Sequence, residues 1–263
     1  MKRSLLAAVP ALLLASQANA LVGIAVSGGI NSTSITGADQ TISGADLPVG
    51  FASQASSLDP KLLLHRGKMS GMMQVGLKAW LELPVIPVEF EIAENIAWGS
   101  YETKVLFIDG PDTTQIPLDV KSPVPGMSKS GSTPYFSSLT DLTLRYPILE
   151  FPPLSPIKPL KIWVGAGGTY AVASHVVDKT DLKDVFATAG SFDVVNPASA
   201  ADTYKNNLTT NTFGGHLAAG VQLKIPVLPI ALFIDGKWYL HVGTSDAASK
   251  YPFAANAGLG FSI

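Results

Sequence analysis

The chain has 263 residues, a formal net charge of −2, a charged fraction of only 14% and no cysteine. The weak charge and the lack of a basic run argue against a nucleic-acid-binding protein, and a chain without cysteine folds without disulfides. A mean hydropathy of +0.29 is typical of membrane proteins. After the first twenty residues, however, no stretch of 18 apolar residues free of charge could form a spanning helix.

The first twenty residues have the features of a secretory signal peptide. Lys2 and Arg3 precede an apolar stretch over residues 5–15, and Ala18-Asn19-Ala20 fits a small-residue cleavage site. We therefore expect cleavage after Ala20 and a single domain over residues 21–263. An exported, apolar chain without a spanning helix is either a soluble periplasmic β-protein or a β-barrel of an outer membrane.

Alternation of apolar residues with small or polar ones is the dominant pattern of the remaining chain. Runs of about ten residues match a tilted strand that crosses a bilayer. Eight such runs occur, at residues 21–30, 69–83, 88–98, 135–146, 160–172, 213–225, 230–242 and 252–263. In the third run, Glu94 interrupts an otherwise apolar row.

The connections between these runs differ in length and composition. Residues 83–88 (LPVIPV), 147–160 and 225–230 (IPVLPI) are rich in proline, which ends one strand and starts the next. The connections on the opposite side, 31–68, 99–134 and 176–212, are long and polar, and only 243–250 is short. This arrangement predicts an all-β, eight-stranded antiparallel transmembrane up-and-down β-barrel with short Pro-rich periplasmic turns and long external loops. Ten strands are the alternative, since residues 101–109 and 116–120 could add a hairpin.

The last twelve residues, PFAANAGLGFSI, alternate to the end and carry Phe261 near the terminus. This strand resembles the closing strand of outer-membrane β-barrel proteins, and the architecture is similar to small barrels of the OmpA, OmpX and OmpW kind. The resemblance implies a Gram-negative outer membrane, contact with its lipids, insertion by the barrel-assembly machinery, and Phe261 as the terminal aromatic which that machinery recognises.

Alternation directs charges of both signs into the barrel. An eight-stranded barrel is just wide enough for its interior side chains, so these charges either form a paired plug or line a narrow pore. The plug is favoured because buried charges are tolerated only when paired. The predicted interior set is Lys78, Glu82, Glu91, Asp141, Arg145, Lys161, Lys224, Asp235 and Lys237, with His216 and His241. Several inward positions hold only Gly or Ala, which either leave a cavity or make room for Trp and Tyr.

The sequence contains no catalytic signature. His216 and His241 have no further ligand at metal spacing, and Ser174 with His175 matches no known nucleophile motif. We therefore predict no catalytic residue, cofactor or metal ligand. Three functions stay open: a structural barrel or passive passage of a small, apolar solute; an outer-membrane enzyme acting on lipid; and adhesion or binding by the long loops.

Overall fold

The computed structural model describes residues 21–43, 46–47, 55, 59–83, 86–116, 131–151, 159–183, 209–225 and 228–262. The predicted signal peptide, residues 1–20, and the final Ile263 lie outside the described residues. No helix in the described part of the chain is long and apolar enough to cross a membrane.

Eight long strands close into a single antiparallel barrel, as the alternating runs predict. The strands of the chain are β1 Leu21–Ile35, β2 Ala38–Ser43, β3 Lys61–Arg66, β4 Met69–Glu82, β5 Glu89–Asp109, β6 Asp112–Ile116, β7 Ser132–Phe151, β8 Leu160–Ser174, β9 Thr209–Lys224, β10 Ile230–Leu240 and β11 Phe253–Ser262. The barrel order is β1-β4-β5-β7-β8-β9-β10-β11, and β11 pairs back with β1, placing Phe261 opposite Ile24. We call the end that holds Leu21 and Ser262 the terminal end, and the opposite end the loop end.

The barrel is apolar outside and polar inside, the reverse of a water-soluble protein. Outward side chains such as Leu142, 60% exposed, and Ile234, 67% exposed, leave a broad apolar wall uncovered. Inward neighbours of opposite parity, such as Asp141 and Asp235, are buried. A period of two explains both faces, because successive side chains of a strand point to opposite sides.

A second, smaller sheet lies at the loop end, and it settles the strand count of the barrel. β5 continues to Asp109 and pairs with β3 and β6 there, while β2 pairs with β3. Residues 101–109 therefore extend a barrel strand, and the ten-strand alternative is wrong; residues 117–120 lie outside the described part of the chain. The sheet has its own apolar core, made of Ile42, Leu47, Leu62, Leu64, Val105, Phe107, Ile116, Val177 and Leu182.

Inward glycines make room for large aromatic side chains. A Cβ on Gly23 would come within 2.1 Å of the Trp80 ring, and one on Gly220 within 2.6 Å of the Trp163 ring. Both tryptophans are buried. Of the two explanations open from the sequence, these small inward residues therefore accommodate Trp rings.

We expect Gly220→Ala to destabilise the barrel. The new methyl group would also lie 2.9 Å from the carbonyl oxygen of Ile234, so backbone and ring must both shift, at a cost of about 1–3 kcal/mol in the free energy of unfolding. Gly168→Ala is the matched control, because nothing lies within 4 Å of its added Cβ. Urea titration followed by tryptophan fluorescence measures both variants, and equal midpoints would contradict this packing.

Candidate functional site

A first cluster of charges joins opposite walls near the terminal end. Glu82 of β4 lies 2.8 Å from the Lys224 ammonium of β9 and 3.0 Å from that of Lys161. Lys161 also forms an ion pair with Glu89 of β5. β4 and β9 are four strands apart around the barrel, so the Glu82–Lys224 pair crosses the full interior.

A second cluster fills the middle of the barrel around Glu91. Its carboxylate is fully buried and lies 3.2 Å from the Lys237 ammonium, 3.3 Å from the Arg145 guanidinium and 3.9 Å from the Lys78 ammonium. Lys78 in turn pairs with Asp235 on β10. Each charge of this cluster therefore faces at least one opposite charge, the condition under which buried charges are tolerated.

Asp141 collects hydrogen bonds from several strands in the same layer. It accepts from the Lys237 ammonium at 2.8 Å, the Tyr239 hydroxyl at 3.0 Å, the Thr169 hydroxyl at 2.8 Å and the Asn95 amide at 3.2 Å. The carboxylate is fully buried. Asp141 thus ties β5, β7, β8 and β10 together through one side chain.

His216 belongs to this layer but is held by hydroxyl groups. Its Nε2 lies 2.8 Å from the Thr143 hydroxyl, and its Nδ1 lies 2.8 Å from the Thr169 hydroxyl. Both ring nitrogens are therefore occupied within the protein, an arrangement that orients the ring.

Aromatic rings cover two cations of the second cluster. The Lys78 ammonium lies 3.4 Å from the centroid of the Phe233 ring, and the Arg145 guanidinium lies 4.1 Å from that of Trp163. Such contacts offset part of the cost of removing a cation from water.

An apolar plug fills the barrel between the charges and the loop end. Two groups of buried side chains stack here: Leu139, Ala171, Tyr239, Val242 and Ala254, then Ile35, Met69, Met72, Ala97, Tyr101, Tyr135, Ala173 and Val176. A hydrated ion would lose water on entering a layer of buried apolar side chains, so this region opposes the passage of ions. We call this region the apolar plug.

Most residues of the predicted interior set lie together, and one does not. Lys78, Glu82, Glu91, Asp141, Arg145, Lys161, Lys224, Asp235, Lys237 and His216 form the contacts described above. His241 lies beyond the end of β10 at a φ of 59°, is exposed and contacts the Tyr251 hydroxyl at 3.2 Å, so its predicted inward orientation is wrong. Its backbone breaks the strand, and alternation ceases to apply there.

Sequence reasoning missed the uncharged members of the network. Asn95, Thr143, Thr169 and Gln222 supply hydrogen bonds to the charged residues, and Gln74 bonds Asn256 across the interior. Alternation places these side chains on the inner face. Neutral polar residues are also common in loops, however, so their residue types alone did not indicate a role in the network.

Outside the barrel interior, His175, Asp178 and Asp181 bring potential ligand atoms within 4.8 Å of one another. These atoms already bond within the segment: Asp181 accepts from His175 at 3.0 Å, and Asp178 accepts from the backbone amide of Thr180 at 2.7 Å. The group thus caps the helical turn over residues 179–183.

The loop-end segment 175–183 should be more stable in mild acid. The hydrogen bond to Asp181 raises the pKa of His175 above its ordinary value of 6.5, despite the opposing effect of burial. A raised pKa in the folded state gives stability that is fully present below the unfolded value and is lost as the pH rises through the folded value. We expect stronger hydrogen-exchange protection of the Val177 and Leu182 amides at pH 5.5 than at pH 8, after correction for intrinsic rates.

His175→Gln, which keeps a polar side chain but cannot become charged, is the control for this prediction. The variant should show the same protection at both values of pH. A pH dependence as large as in the unmodified protein would assign the effect to other groups.

Comparison with known proteins gives structural similarity without a sequence family. No family model matches the chain, and no curated protein matches it in sequence. Neisserial surface protein A (NspA) is similar at 10% identity and a TM-score of 0.42, over 92% of this chain and 97% of that one. The N-terminal β-barrel domain of Pseudomonas aeruginosa OprF is similar at 10% identity and a TM-score of 0.37, over 93% and 98%. The outer membrane protein OprG from the same organism gives 10% and 0.35, over 92% and 95%. The role of this barrel must therefore follow from its own residues.

Proposed function

We propose that the protein is an integral outer-membrane β-barrel that is closed to solutes and holds a folded sheet on its external side. The proposal rests on one observation: side chains fill the interior of the barrel, while the apolar side chains of its outer wall are left uncovered. The apolar wall suits acyl chains, and a closed barrel satisfies all its backbone groups within lipid. Export by the signal peptide over residues 1–20, with cleavage after Ala20, and insertion guided by Phe261 belong to this proposal.

The packing of the interior favours a structural role over passage of a solute. Ion pairs between non-adjacent strands link the walls, and the apolar plug lies in series with them. A solute would have to break the bonds to Asp141 and separate the plug, each at a cost of several kcal/mol.

A second role, binding at the cell surface, is favoured by the order of the loop end. The small sheet of β2, β3, β6 and the end of β5 is anchored by Arg66, which donates to the carbonyl oxygens of Thr36 and Val177 at 3.1 Å each. The Val177 amide donates to the Tyr101 hydroxyl at 3.0 Å, which joins this sheet to the apolar plug. A surface held in this way can present a fixed shape to a partner.

Planar-bilayer recordings test the closed interior. The purified protein, shown to be inserted by protection of its barrel strands from added protease, should give no steady conductance. Stepwise, reproducible channel currents from the inserted protein would contradict a closed barrel. Recovery of the chain in the outer-membrane fraction, beginning at Leu21 by N-terminal sequencing, tests the location and the cleavage.

A further inference from the structure

Glu94 occupies an unusual position on the outer wall of the barrel. It lies at the centre of the outward row of β5, between Ile92, 55% exposed, and Ile96, 48% exposed. Phe90 and Trp98 bound this row. The opposite residue on β4 is Leu77, which is 60% exposed. Among the described outward positions of the barrel strands at this depth, Glu94 is the one charged side chain.

Two hydroxyl groups of the neighbouring strand β7 bind this carboxylate. The Thr140 hydroxyl donates to Oε2 at 2.5 Å, and the Ser138 hydroxyl donates to Oε1. Each carboxylate oxygen can accept further hydrogen bonds, so the group keeps free acceptor capacity toward the outside. We call Glu94, Ser138 and Thr140 the outward triad.

Stability alone gives no reason for the outward triad. A charged side chain on the lipid face destabilises a barrel in proportion to its depth, and hydrogen bonds within the wall offset only part of that cost. Apolar residues at the same three positions would continue the surrounding wall without the cost of a charged group in lipid. An ionisable group at this depth is therefore best explained by a ligand or partner.

A shallow apolar groove adjoins the triad. Its volume is about 320 Å³, within the range of small-molecule sites. Ala79 has the smallest of the outward side chains that line the groove. Its outward lining comprises Ile24, Leu77, Ala79, Ile92, Glu94 and Thr140.

From this geometry we propose a lateral binding site for an amphiphile with an apolar body and an ammonium head. The apolar body lies in the groove among Ile24, Leu77 and Ile92, and the ammonium donates to the Glu94 carboxylate. Charge complementarity selects this occupant, because an ammonium compensates the carboxylate and supplies the donors that its oxygens still accept. The inference rests on the proposed function, since it requires the outer wall to lie in lipid.

Binding can be measured with spin-labelled alkylammonium in phosphatidylcholine vesicles that contain the full chain. We expect an immobilised probe fraction that saturates, and an affinity about tenfold weaker in Glu94→Gln, which removes the charge and keeps a polar group of the same size. An alkyl sulfate of equal chain length should be immobilised less than the ammonium, only to the level that contact with the apolar wall alone produces. Glu102→Gln, an outward exposed position further along β5, should bind the ammonium probe like the unmodified protein.

Equal affinity of the unmodified protein and Glu94→Gln would overturn the proposal, as would equal retention of the sulfate. A change in cross-linked mass with Glu94→Gln, without a change in probe retention, would assign the triad to a second copy of the chain and also overturn it. Flotation of the same samples separates the two proposals. Protein that floats with vesicles but retains no probe refutes the site alone, whereas protein that stays out of the vesicles refutes both.

Discussion

Asp141→Ala is expected to lower the free energy of unfolding by about 3–5 kcal/mol, because it leaves buried partners without their acceptor. Lys237 loses its 2.8 Å contact, and Tyr239 and Thr169 lose hydrogen bonds in a layer without access to water. Urea titration of the protein in lipid vesicles, followed by the loss of β-structure in circular dichroism, measures the change.

A second substitution distinguishes the effect of losing the ion pair from the effect of losing side-chain volume. Lys237→Met introduced into Asp141→Ala removes the cation that has lost one of its two carboxylate partners, while Glu91 keeps Arg145 and Lys78, and should recover part of the lost stability. Asp141→Asn keeps the size of the side chain and one acceptor, so its loss of stability should be smaller than that of Asp141→Ala. A loss below about 1 kcal/mol in Asp141→Ala would mean that the layer is hydrated, because water would replace the missing acceptor.

Ile234→Arg is expected to cost about 2–4 kcal/mol in a bilayer, since it places a cation in the middle of the apolar wall, which the proposed function places in lipid. Ile234 is 67% exposed, so packing within the protein contributes little to the change. The same urea titration in vesicles measures it. In water, an exposed Ile→Arg change would stay within about 0.5 kcal/mol, and the size of the loss therefore reports whether the wall lies in lipid or in water.

Ser100→Arg is the matched control for that prediction. Ser100 also points outward and is exposed, but it lies beyond Trp98 toward the loop end. There we expect a cost of about 0–1 kcal/mol, as for cations near the membrane interface. Equal effects of the two substitutions would show that the wall is not graded by depth, contrary to a membrane location.

The barrel itself could be predicted because a period of two is a strong local signal. Each run found by alternation overlaps one barrel strand, and the proline connection over residues 83–88 separates β4 from β5 as expected. The ends of the strands were harder to predict. β5 reaches Asp109 rather than ending near Trp98, because it continues into the small sheet. Alternation persists beyond the closed barrel and cannot mark where the barrel stops.

Alternation predicts which side chains point into the barrel, but not which of them contact one another. Parity places Lys78 and Asp235 on the inside, but only the register around the barrel brings their strands, three apart, into contact. Glu89 has the same parity and was not included in the predicted set, although it pairs with Lys161. His241 failed because a single residue at positive φ ends the pattern.

The packing of inward glycines against the tryptophan rings could likewise not be predicted from the sequence. Gly23 and Gly260 both approach the Trp80 ring, yet they lie 57 and 180 positions away from it along the chain. Such complementarity depends on three strands that meet only after closure. The folded loop-end sheet has the same origin, because β3 and β6 pair with the extension of β5 and β2 pairs in turn with β3.

Spin-label accessibility tests most directly whether the apolar wall faces lipid around a closed barrel. Since the chain has no cysteine, Ile234→Cys, Leu142→Cys and Glu102→Cys each provide a unique nitroxide position. In vesicles, collisions with lipid-soluble oxygen should exceed those with a water-soluble nickel chelate at positions 234 and 142, and the order should reverse at position 102. Preferential collision with the nickel chelate at all three positions would place the wall in water and contradict the membrane-embedded barrel.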